Sequence, residues 1–193
     1  MKVGNPETVS NQLARRLRRV YAAEVGPGDS VGMQATHWFS KHGVLTDVVS
    51  YLLQTGWSIA WTGDAVRRDR LYAGFLVLIG EPIHDVEAER DGVRLLVEAV
   101  GHPGSFDGAW DGSKENRSGI GSQQKGASGR YSDALWTGPA MRKMHPEARI
   151  VQAFPAHGLY RSHAPRAYGS PHMQYWNVEL WMVQPDGTIR FGG

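Results

Sequence analysis

Apolar residues recur every three or four positions in two segments of the N-terminal part of the chain. In residues 44–55 they fall on one side of a helix, and Gly56 follows as a C-terminal stop. The earlier segment has the same spacing, and its apolar residues are Val9, Leu13, Leu17, Val20 and Tyr21. The pattern predicts an N-terminal helical extension over residues 1–43, followed by a domain over 44–193 that begins with a helix over 44–55.

Extended runs of apolar and β-branched residues follow that helix. Strands are expected over 57–62, 149–154 and 176–183, and a strand-like insert over 71–79. The clearest pattern is a pair of extended runs, at 83–89 and 93–100, joined around Asp91-Gly92. Asp-Gly between two such runs is a strong signal of a β-hairpin. The chain after Asp186-Gly187 is expected to form only a short tail.

The segments between these runs complete the predicted architecture. Residues 101–129 are rich in Gly, Ser, Asp, Asn and Gln, which predicts a long loop. A helix is predicted over 130–144, and Gly138-Pro139 is expected to kink or interrupt it. Strands separated by helices favour an α/β domain in which a mixed β-sheet is flanked by helices.

Composition narrows the class of protein. The 193 residues are 41% hydrophobic and 21% charged, which suits a single globular domain. The absence of cysteine excludes disulfides, zinc ribbons and thiol catalysis. No run approaches the roughly 18 apolar residues of a membrane span, and the polar N-terminus lacks the apolar core of a signal peptide. We therefore expect a cytoplasmic protein that does not contact a membrane.

Charge is unevenly spread along the chain, although the net charge is only +2. Acidic residues dominate between Asp85 and Glu98, whereas residues 114–190 carry ten Lys or Arg against five Asp or Glu. Such a split is typical of an acidic metal site beside a basic surface that binds nucleic acid. An ordinary solvated surface of mixed charge is the alternative interpretation.

The predicted hairpin places two carboxylates opposite each other. With Asp91-Gly92 at the turn, Glu89 faces Arg94, and Asp85 faces Glu98. Two facing carboxylates repel each other and destabilise a hairpin, unless a divalent cation lies between them. Hard Mg²⁺ prefers oxygen ligands of this kind. The pair therefore indicates a metal site, while a solvated acidic sheet edge is the structural alternative.

The hairpin sequence HDVEAERDGVRLLVEAVGHPG resembles the catalytic hairpin of the PD-(D/E)XK, or restriction-endonuclease-like, nuclease superfamily. Asp85 matches the first acid of the motif and Glu98 the second. The resemblance covers about residues 44–185 and implies a restriction-endonuclease-like mixed sheet flanked by helices. It also implies that Asp85, Glu98 and the carbonyl of Ala99 hold Mg²⁺ or Mn²⁺, and that the protein acts on DNA.

One departure from the motif bears directly on activity. Val100 stands where the family has a lysine that orients and activates the attacking water. Another residue can replace that lysine, either Arg94 on the same face or Lys125 at the entry to the predicted helix. Otherwise the site binds metal and nucleic acid without cutting, or the fold serves only as a binding scaffold.

Two functions are therefore expected from the sequence. The first is a metal-dependent nuclease that hydrolyses DNA phosphodiester bonds, with Asp85 and Glu98 as metal ligands and Lys125 as the candidate substitute for the lysine. The second is a catalytically inactive nuclease-like module that binds nucleic acid or a protein partner. A homodimer is compatible with either function.

Overall fold

The computed structural model describes residues 40–63, 81–101 and 119–192, with the backbone alone at 119–127, 158 and 159. The predicted extension over 1–43 lies almost entirely outside these residues, and the insert over 71–79 lies wholly outside them. Within the described ranges, no helix is long and apolar enough to cross a membrane.

A six-stranded mixed sheet, with its strands side by side in chain order, forms the centre of the molecule. The strands are β1 (Ser58–Thr62), β2 (Val86–Arg90), β3 (Val93–Ala99), β4 (Arg149–Pro155), β5 (Val178–Val183) and β6 (Ile189–Gly192). Strands β3, β4 and β5 are parallel, and the other neighbouring pairs are antiparallel. The helices are α1 (Lys41–Gln54), α2 (Gly119–Met144), α3 (Gly158–Tyr168) and α4 (Pro171–Trp176). The predicted mixed α/β class is confirmed.

Each face of the sheet is buried by its own set of helices. Successive residues of a strand point to opposite faces, so Leu95 and Val97 of β3 pack with α1, whereas Leu96 and Val100 pack with the other helices. The second core includes Met141 of α2 together with residues of α3 and α4. The apolar stripe that predicted the first helix is the stripe that α1 buries, although α1 begins at Lys41 rather than at residue 44.

The hairpin has the predicted turn, and the predicted register holds from Arg90–Val93 to Val86–Val97. The predicted pairing of Asp85 with Glu98 is not part of this ladder, because the Asp85 N–H donates to the carbonyl of Val97. Asp91 and Gly92 have φ angles of 53° and 76°, which suits a turn with two left-handed residues. Glu89 pairs with Arg94, and Glu87 pairs with Leu96. Since a shift of one residue would turn every side chain to the opposite face, this register decides which acids face α2.

The connections differ most from the sequence prediction. Helix α2 already begins at Gly119, so the predicted loop is wrong for residues 119–129, a segment whose glycines and serines have a weak helical propensity. The helix also continues through Pro139 as one element. At the C-terminal end, the strand predicted over 176–183 begins only at Val178, because Trp176 ends α4, whose first turn is capped by Ser170 and begins at Pro171. The expected tail is the antiparallel strand β6.

Asp47 of α1 faces the turn between β5 and β6, and it provides a test of this packing. Burial, reinforced by the nearby carboxylate of Asp186, raises the pKa of Asp47 from its ordinary value of 3.8 to about 6. Ionisation of Asp47 therefore costs stability as the pH rises through this range. Asp47→Asn is expected to raise the free energy of unfolding at pH 7.5 by about 1 kcal/mol, a value reduced for partial solvent screening.

Urea unfolding of both proteins at pH 4 and pH 7.5 measures this effect. The difference between the variant and the natural chain should be larger at pH 7.5, and Asp133→Asn, an exposed position of α2, is the matched control. An equal difference at the two pH values would contradict the assignment of the destabilisation to the Asp47 charge.

Candidate active site beside the hairpin

Asp85 immediately precedes β2 and has no exposed surface. Its backbone N–H donates to the carbonyl of Val97 (2.7 Å), and its carbonyl accepts from Gly63 N–H (2.8 Å). Its carboxylate Oδ2 accepts a hydrogen bond of 2.8 Å from the backbone N–H of Ala99. Strand β3 therefore fixes the orientation of the buried carboxylate.

Lys41 is the cation that meets this carboxylate. Its Nζ lies 2.9 Å from Asp85 Oδ2, and its side chain is only 11% exposed. The residue begins α1, where the Oγ of Ser40 accepts from Gly43 N–H (2.9 Å) and caps the helix. A Cβ atom at residue 101 would lie 2.2 Å from the Lys41 nitrogen, so Gly101 lets the helix start pack directly against the end of β3.

Glu98 completes the charged group from strand β3. Burial raises the pKa of Glu98 to about 7, against the opposing effects of the Thr137 hydrogen bond, the Lys41 charge and the Gln152 hydrogen bond. The Asp85 charge raises the same pKa further. Because Lys41 and Asp85 both act on Glu98, the two acids and the ammonium group form one cluster.

The other residues predicted from the sequence differ in whether they lie near Asp85. Ala99 lies beside Glu98 and contacts Asp85 through its N–H. Arg94 forms an ion pair with Glu87 at 2.7 Å and contacts His145, so it is engaged away from Asp85. Lys125 lies in the part of α2 where only the backbone is described, and its role stays a prediction.

Val100 belongs to the apolar core on the α2 side of the sheet. It is only 6% exposed and packs with residues such as Ile83 and Leu96. A lysine at this position would place its ammonium group against apolar side chains, where an unpaired charge is costly. The apolar surroundings therefore explain why a valine stands at this position. The ammonium group beside Asp85 comes instead from Lys41 of α1.

Sequence reasoning missed Lys41, Thr137 and Gln152 at this site. Lys41 falls in the predicted N-terminal extension, because the apolar stripe that predicts the helix begins only at residue 44. Gln152 had a visible signal, since it is the only uncharged polar residue in the run RIVQAFP of β4. A single amide in an otherwise apolar strand indicates a buried hydrogen-bonding role.

Comparisons with known proteins found no matching family model, curated protein or solved structure. Among the described residues, no three His, Cys, Asp or Glu side chains converge as a metal-binding group. Asp85 and Glu98 offer two carboxylates, and Mg²⁺ is commonly bound through one or two carboxylates together with water and substrate phosphate.

Proposed function

We propose that this protein is a Mg²⁺- or Mn²⁺-dependent nuclease of the restriction-endonuclease-like type that hydrolyses DNA phosphodiester bonds. In this proposal Asp85 and Glu98 are the metal ligands, and Lys41 replaces the lysine that the family motif has at position 100. The observation that carries it is the 2.9 Å contact between Lys41 Nζ and Asp85 Oδ2. Lys41 thus supplies the ammonium group that the family motif has at position 100 and that Val100 lacks.

The order of elements supports the nuclease-like type. Helix α1 is followed by β1, by the hairpin of β2 and β3, by α2 and by the parallel strand β4. The family that the hairpin resembles likewise has a first helix and strand before its catalytic hairpin and a later strand after it. The position of both acids at the end of the hairpin away from its turn supports the motif assignment.

The metal ligands and Lys41 have separate roles in the proposed reaction. Asp85, Glu98 and the Ala99 carbonyl would hold the metal, which when bound supplies a water of lowered pKa and polarises the phosphate. Lys41 would orient that water and stabilise the negative charge that develops on the phosphate. Because its ammonium group is largely shielded from solvent, its charge acts more strongly than it would at the surface.

The exposed side chains of α2, α3 and α4 favour a polyanionic substrate. Arg161 and Arg166 of α3 are exposed, and α3 contains no acidic residue. Trp136 of α2 and Tyr175 of α4 are each 80% exposed, which is unusual for large aromatic side chains. Arginines bind phosphates, and exposed aromatic rings stack on bases.

The experiment that tests the proposal is cleavage of plasmid and single-stranded DNA in the presence of Mg²⁺ or Mn²⁺. We expect cleavage by the natural chain, loss of cleavage with a chelator, and at least about a 100-fold loss for Glu98→Ala. Glu147→Ala, which removes an exposed glutamate, is the matched control and should cut normally. Cleavage that persists in Glu98→Ala would contradict the proposal.

The Lys41–Asp85 ion pair also favours a second candidate, a nuclease-like module without catalytic activity. In that case the ammonium group alone neutralises Asp85, and no divalent cation is needed at the site. DNA binding in gel-shift experiments, with neither Mn²⁺ binding in calorimetry nor cleavage, would support this candidate over the nuclease. Binding of a protein partner in place of DNA would support the same candidate.

A further inference from the structure

Gln152 lies directly beside Glu98 in the sheet. The two residues are partners in the parallel register of β3 and β4, and the Gln152 side chain is completely buried. Both side chains point to the face covered by α2. A buried amide in this place requires hydrogen-bond partners, because an unsatisfied one would cost roughly 1–3 kcal/mol.

The partners of Gln152 determine which way its amide group faces. Its Nε2 donates its two hydrogens to Glu98 Oε2 (2.5 Å) and to the Ala134 carbonyl (2.5 Å), and Thr137 Oγ1 lies 2.9 Å from the same nitrogen. The Ala134 carbonyl can only accept, so the nitrogen rather than the oxygen of the amide must face it. The same orientation presents an N–H group to the glutamate.

Two further contacts hold the Gln152 amide in place on the side of its oxygen, Oε1. The hydroxyl of Tyr168, itself almost fully buried, donates to Gln152 Oε1. Gly138 of α2 packs so closely that a Cβ atom there would lie 2.7 Å from Gln152 Oε1 and 3.1 Å from Cδ. The side chain is therefore fixed by α2 on one side and by α3 on the other.

These contacts leave the two oxygens of Glu98 in different situations. Oε2 accepts from Gln152 Nε2 and from the hydroxyl of Thr137. Oε1 accepts no hydrogen bond from the described part of the chain. A carboxylate held by one oxygen cannot rotate freely, so its other oxygen keeps a constant direction.

We propose that Gln152, braced by Tyr168, is a positioning residue that orients the Glu98 carboxylate so that Oε1 serves as the metal-binding oxygen. This inference rests on the proposed function, since it assigns an orienting partner to one of its two acidic metal ligands. Hydrogen-bond partners of metal ligands commonly contribute 10- to 100-fold to metal affinity or activity.

The test compares Mn²⁺ binding by the natural chain with binding by Gln152→Met and Tyr168→Phe, using calorimetry. We expect the dissociation constant to rise about tenfold in Gln152→Met and by a smaller factor, in the same direction, in Tyr168→Phe. In cleavage assays the Mn²⁺ concentration for half-maximal rate should rise by the same factors, while the KM for DNA stays unchanged. A purely structural role would not separate these two quantities.

Tyr131→Phe is the matched control, because it removes a tyrosine hydroxyl that donates to the His163 carbonyl and does not reach Gln152. Natural affinity in both Gln152→Met and Tyr168→Phe, or an equal loss in Tyr131→Phe, would overturn the inference alone. Absence of Mn²⁺ binding and cleavage in the natural chain would overturn the proposed function and this inference together. If Gln152→Met fails to fold, the result for Tyr168→Phe decides.

Discussion

Lys41→Met is expected to lower the rate of DNA cleavage by about 10²- to 10³-fold, the usual effect of removing one group that stabilises transition-state charge. The substitution keeps the length of the aliphatic side chain and removes the ammonium group 2.9 Å from Asp85 Oδ2. Single-turnover cleavage at saturating Mg²⁺ measures the chemical step and separates it from substrate binding.

Two further variants serve as controls for Lys41→Met. Lys143→Met removes an exposed lysine near the end of α2 and should cut at the natural rate. Lys41→Arg keeps the charge but changes its geometry, and it should recover only part of the activity. Cleavage by Lys41→Met at the natural rate would show that Lys41 is not the activating group, and Lys125 would then be the lysine to replace.

Gly101→Ala is expected to destabilise the protein by about 3 kcal/mol and to reduce cleavage at the same time. The added Cβ would lie 2.2 Å from the backbone nitrogen of Lys41 and 2.7 Å from its Cα. These are backbone atoms that cannot rotate away, so the first turn of α1 must move, and overpacking of this kind typically costs 1–3 kcal/mol or more. The movement would also draw the Lys41 ammonium group away from Asp85.

Urea unfolding and cleavage assays of the same preparation measure both effects. Gly129→Ala is the matched control, because a Cβ there meets no atom within 4 Å and the residue lies in the middle of α2. Alanine favours a helix over glycine, so the control should gain up to about 1 kcal/mol. If Gly101→Ala unfolds at the same urea concentration as the natural chain, the close approach of α1 to residue 101 is not present.

Local patterns were sufficient to predict the hairpin and most of the sheet. The Asp91-Gly92 turn fixes the register through its backbone conformation, from Arg90 opposite Val93 to Val86 opposite Val97. Strand β4 was visible as an apolar run between polar residues. In each of these cases the determining residues are neighbours in the sequence, or are joined by a tight turn.

The missed site residues depend on contacts between distant elements. Lys41 and Asp85 are joined only because α1 packs across the sheet, and no periodicity in either segment records that contact. The role of Gln152 depends on Thr137 and Tyr168, which come from two different helices. Helix α2 begins among glycines and serines, whose local preference is too weak to predict it.

The place of Lys41 at the first turn of α1 has a consequence for the dynamics of the site. The ends of helices open locally at a smaller free-energy cost than the sheet they pack against. Each such opening would remove the ammonium group from Asp85 while both acids stay in position. The fraction of molecules with a complete site would therefore follow the local stability of one helical turn, which hydrogen exchange at the Gly43 amide, bonded to Ser40, would report.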